Sequence, residues 1–61
     1  MFPFIVKKRG KKPEPFIVIC QINGGEAYLL SDFRGNFYEV SCSELCRDYR
    51  FVSLFHVGVS L

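Results

Sequence analysis

The chain has 61 residues, of which 49% are apolar, with seven Phe and three Tyr, and a net charge of +2. That apolar content excludes a disordered chain, and the length allows a single domain, residues 1–61, that hides only about 60% of its unfolded surface. The charge is unevenly placed: Lys7, Lys8, Arg9, Lys11 and Lys12 put +5 on the first 13 residues and leave −3 on the rest, a basic loop on a weakly acidic body.

Residues 2–7 are rich in strand formers. Pro3 cannot donate to a ladder, so this segment is expected at a sheet edge or as the start of a strand. Residues 8–15 hold Gly10, Pro13 and Pro15 among charges and read as a basic loop. Residues 16–22 are apolar on both faces until Gln21, the pattern of a central strand covered on both sides. Asn23-Gly24-Gly25 tolerates positive φ and signals a tight turn. Residues 26–30 are its hairpin partner. A second turn follows at residues 32–36, with Gly35 at its positive-φ position, and then a strand at residues 36–40.

Ser41 and Glu44 have the spacing of a capping box, in which each side chain accepts from the other's backbone N–H. Few residues follow before strand pattern resumes, so the helix spans one or two turns near residues 42–47. Residues 50–61 are strand-like again, and Gly58 is the candidate for a bulge within them.

Strand, long loop, strand, tight turn, strand, short turn, strand, helical turn, strand: this order resembles the SH3-like small barrel. The resemblance lies in element order and spacing across the whole chain. It implies an all-β fold of about five strands, a small barrel or curved antiparallel sheet with one short helical turn. The aromatic pair and acidic loop of the proline-rich-peptide binders in that fold are not recognisable, so their function is not carried over.

The compartment follows from the same kind of reasoning. The uncharged run at residues 51–61 is too short to span a bilayer. The apolar start precedes its basic residues, the reverse of a secretory signal. Three cysteines, an odd count, argue against a disulfide framework. A cytoplasmic protein is expected.

No convergent catalytic set or cofactor motif stands out, so neither catalysis nor a cofactor is expected. Cys42 and Cys46 share a helix face, and with Cys20 and His56 they reach a Cys₃His ligand count that zinc would accept. Their spacing is unfamiliar, and the simpler expectation is no metal: Cys20 packs in the central strand while Cys42 and Cys46 plug the helix into the barrel. Glu44 and Asp48 disfavour a reactive thiolate nearby. His56 is expected to be structural. Glu26, Asp32, Glu39, Glu44 and Asp48 are scattered and read as solubilising charges.

Two features point to binding. The first is Lys7, Lys8, Arg9, Lys11 and Lys12, suited to phosphate or to an acidic protein surface, with a solvated loop that balances the acidic body as the third reading. The second is an aromatic and apolar surface: Tyr28 and Tyr38 on the arms of one hairpin, Phe33 at a turn tip, and Val57 and Val59 on one face of the last strand. A small volume cannot enclose every Phe and Tyr, and aromatic residues are favoured interface anchors. The expected function is a non-catalytic module acting through protein–protein contact as a small regulator, inhibitor or assembly factor, in the style of phage and mobile-element accessory proteins. The alternative is a nucleic-acid-binding small β-barrel that uses the basic loop. The last strand lacks Lys and Glu after Arg50, which leaves its edge unguarded and suggests either a homodimer through the C-terminal strand or pairing with residues 2–6 within the chain to close the sheet.

Overall fold

The computed structural model describes residues 2–10 and 12–55. Five strands and one helix follow in chain order: β1 (Phe4–Lys8), β2 (Pro15–Ile22), β3 (Ala27–Ser31), β4 (Phe37–Ser41), α1 (Cys42–Asp48) and β5 (Tyr49–Leu54). The strands form one antiparallel sheet in the order β4-β3-β2-β1-β5. The fold is therefore mostly β with one short helix, as the alternating and apolar runs lead one to expect.

β2 is the central strand. β1 is an inner strand rather than an edge one, because β5 returns to pair along its other side. Pro3 lies just before β1 and costs the ladder no donor, while its carbonyl accepts from Phe55 N–H at 3.1 Å. The edges are β4 and β5.

Two register shifts bend the sheet. One lies between Val18 and Cys20 on β2, where Ile19 is the extra residue. The other lies in the β1–β5 pair, where Ile5 opposes Ser53 and Val6 opposes Phe51, so Val52 is extra. Such bulges increase local twist and curvature. The bulge of the last strand falls at Val52; Gly58, the position expected from sequence, lies outside the described residues.

Curvature encloses one core. Val6, Phe16, Val18, Leu30, Val40 and Tyr49 are buried, with Phe4, Tyr28 and Leu45 packed against them. Residues opposite each other in an antiparallel pair share a face, and the pairs Val6↔Phe16, Val18↔Leu30 and Tyr28↔Val40 place these side chains on the inner face. Phe16 stands edge-on to both Tyr38 and Tyr49, with centroids 5.6 Å apart in each case.

The turns follow from residue chemistry. Asn23, Gly24 and Gly25 have φ of 53°, 65° and 91°, values that Gly and Asn adopt with least strain. They form a 3₁₀ turn instead of a two-residue hairpin, closed by Glu26 N–H donating to the Asn23 carbonyl at 3.2 Å. Gly35 takes φ of 91° in the β3–β4 turn. At the start of α1, Ser41 Oγ accepts from Glu44 N–H at 3.2 Å, which is half of the capping box. The helix is anchored by Leu45, which packs on the core. Cys46 is exposed, which corrects the expectation that it plugs the helix in place.

Candidate binding surface

The basic segment is not a uniform flexible loop. Lys7 and Lys8 belong to β1, and the loop proper runs from Arg9 to Glu14, closed at its base by Lys8 N–H donating to the Glu14 carbonyl at 2.9 Å. Successive strand residues point to opposite faces, so Lys7 and Lys8 diverge. Lys8 opposes Tyr49 on the inner face, and Lys7 opposes Arg50 on the outer face. Arg9 is drawn to α1, its N–H donating to the Asp48 carbonyl at 2.8 Å. Lys12 is exposed, and Lys11 lies outside the described residues.

The Lys7–Arg50 pair joins a residue of the acidic body to the basic segment. Two like charges directly opposite on neighbouring strands repel. Among the described residues neither cation lies within ion-pair distance of a carboxylate: Glu14 reaches Arg34 at 3.6 Å, and Asp48 is held by Arg47 at 3.0 Å. Arg47, with Lys8 and Arg9 adding smaller effects, keeps the Asp48 carboxyl below its ordinary range. The sequence signal for Arg50 was available only through register, since it stands 43 positions after Lys7.

The expected aromatic surface divides. Tyr28 is half-buried against the core, and Tyr38 is partly exposed with its hydroxyl on Asp32. Phe33 is 57% exposed in the β3–β4 turn and stands edge-on to Phe55, with centroids 6.4 Å apart. Val57 and Val59 lie outside the described residues.

A second apolar surface occupies the β1–β5 side. Four rings stand in series: Tyr28 to Phe2 at 6.1 Å, Phe2 to Phe4 at 5.5 Å, and Phe4 to Phe51 at 5.7 Å. The row begins on the core and ends on β5, where Phe51 is 56% exposed and Leu54 48%. Phe2 also reaches solvent. Every residue of β5 after Tyr49 is exposed, and none is acidic. Lys8 sits diagonally beside Phe51 on the inner face, because Val6 opposes Phe51 and Lys8 opposes Tyr49. Cations therefore border the exposed rings on both sides of β5. Sequence pattern alone missed Phe2, Phe4, Phe51 and Leu54 as one surface, since they come from opposite ends of the chain.

The remaining candidates are structural in their contacts. Cys42 donates its thiol to the Gly25 carbonyl at 3.2 Å, and its N–H to the Glu26 carbonyl at 3.1 Å, tying α1 to the β2–β3 turn. Cys20 is half-buried in β2. Among the described residues no three of His, Cys, Asp and Glu converge as metal ligands; His56 lies outside them. Asp32, expected as a solubilising charge, is buried. Its carboxylate accepts from the N–H groups of Arg34 and Asn36, the Asn36 side chain and the Tyr38 hydroxyl. These bonds hold its pKa far below the ordinary carboxylate range.

The described residues enclose no pocket, so contact here is a matter of surface. No helix among them is long and apolar enough to cross a membrane. No family model, curated protein or solved structure matches the chain.

Proposed function

We propose that this protein is a cytoplasmic, non-catalytic binding module that docks a protein partner on the β1–β5 side of its sheet, as a small regulator, inhibitor or assembly factor. The observation that carries the reading is the ring series Tyr28–Phe2–Phe4–Phe51, continuous with the core at one end and open to solvent at the other. Contiguous exposed apolar surface rimmed by polar groups marks interaction sites, and an aromatic anchored on a packed core loses little entropy on docking. Affinity capture from a native lysate, with and without nuclease, tests it. A partner that survives nuclease and is lost with Phe51→Ser supports the reading, and capture unchanged by Phe51→Ser refutes it.

A second reading rests on the opposed Lys7 and Arg50 with Lys8, Arg9 and Lys12 nearby: a nucleic-acid phosphate backbone on the basic end. Binding would then weaken steeply with salt, and neutralising these residues would flatten the slope. Absence of DNA or RNA binding at low salt excludes it.

A further inference from the structure

β5 ends the strand order, so one side of its backbone has no strand neighbour among the described residues. Natural sheets protect such an edge with charge, proline or a bulge. Here the protection is slight: one bulge at Val52 and one charge, Arg50. Phe51, Val52 and Leu54 stand exposed along the same strand. Arg50 is also set against Lys7, a placement unfavourable for folding that a carboxylate at the edge would relieve.

We propose that β5 is a strand-addition site for an extended acidic segment of the protein partner. The partner strand pairs with the open backbone edge of β5, its carboxylates on the outer face meet Arg50 and Lys7, and its apolar residues on the inner face meet Phe51 and Leu54. This rests on the protein-binding reading above and names the partner's chemistry. Main-chain bonds supply affinity in such pairing, and alternating side chains supply specificity. A nucleic acid makes no use of a free ladder edge or of aliphatic Val52 and Leu54. A second copy of the chain brings another Tyr49–Leu54, which contains no carboxylate, and so doubles the repulsion instead of relieving it.

The test uses the whole chain and four synthetic probes: short peptides alternating Glu with Val, Ser with Val and Lys with Val, and an oligothymidylate. Anisotropy titration at low salt is combined with amide exchange read residue by residue. The Glu–Val peptide is expected to bind and to slow exchange at the β5 amides that point away from β1. Arg50→Glu should weaken it about tenfold, with Arg50→Gln intermediate and circular dichroism confirming that both variants fold. The Ser–Val peptide should bind more weakly, and the Lys–Val peptide not at all. The inference falls if the Glu–Val peptide does not bind, if its protection lies away from β5, or if oligothymidylate binds as tightly. It also falls if the free protein sediments as a dimer with its β5 amides already protected. Its failure with a nuclease-resistant partner still lost on Phe51→Ser leaves the protein-binding reading standing; capture indifferent to Phe51→Ser removes that reading as well.

Discussion

Tyr38 donates its hydroxyl to Asp32 Oδ2 at 3.1 Å, joining the start of the β3–β4 turn to the strand that leaves it. The same carboxylate takes three further hydrogen bonds, from Arg34 N–H, Asn36 N–H and the Asn36 amide, so one side chain organises the whole turn. Tyr38 in turn stacks edge-on against Phe16, which carries the order of the turn into the core.

Asp32 predicts an acid limb of stability. Hydrogen bonds from Asn36 first, and then from Arg34 and Tyr38, lower its pKa in the fold, against the opposing effect of burial. A carboxyl whose folded value lies below its unfolded value, about 3.9, stabilises the fold above that pH. That contribution disappears as pH falls from there through the lowered folded value. Urea midpoints measured from neutral pH downward should hold until about pH 4–5 and then decline. Asp32→Asn should lower the neutral midpoint and flatten the decline. An unchanged slope would place the acid sensitivity elsewhere, with Asp48 the next carboxylate to examine.

Core truncation should be severe for so small a chain. Leu30 and Val18 are fully buried. Leu30→Ala removes apolar contact and leaves a cavity, at a cost of about 3 kcal/mol. A core of this size supplies about 3–5 kcal/mol in total, so the variant should be largely unfolded at 37 °C by circular dichroism. Leu45→Ala, at the half-buried anchor of α1, should cost about 2 kcal/mol and leave the sheet intact.

The half-formed capping box separates two substitutions. Ser41→Ala removes the acceptor for Glu44 N–H and should cost about 1 kcal/mol. Glu44→Ala keeps that bond, since the bond uses the Glu44 backbone, and should cost only a few tenths of a kcal/mol. Equal losses in urea denaturation would mean that the reciprocal bond forms in solution.

The opposed cations predict gains in stability where function should suffer. Lys7→Glu or Arg50→Glu turns a like-charged cross-strand pair into an opposite one and should raise stability by about 0.5 kcal/mol. The gain should shrink as salt screens the pair. Thermal melts at low and high salt measure both effects. A loss of stability in either variant would show that the two side chains already splay apart to solvent.

Much of the architecture was legible in the order of residues. The apolar run at residues 16–22, the positive-φ residues at Asn23-Gly24-Gly25 and Gly35, and Ser41 ahead of a short helix are local signals. Each acts within a few residues, so strand, turn and cap could be assigned without knowing the partners. The central place of β2 was legible too, but its expected cover on both faces was not met: Phe16 and Val18 are buried on the inner face, while Ile17 and Ile19 are only half-buried.

Tertiary structure alone decided what depends on register. That β1 lies inside the sheet follows from β5 pairing with it across more than forty positions, and Pro3 carried no trace of that return. The meeting of Lys7 with Arg50, the joining of Phe2 and Phe4 to Phe51, and the burial of Asp32 are all products of chain reversal. A single bulge at Val52 shifts which residues of β5 beyond it lie on the inner face of the sheet and which on the outer. Since side chains alternate with a period of two, one inserted residue reassigns every position beyond it, and no local pattern in the sequence marks where that insertion falls.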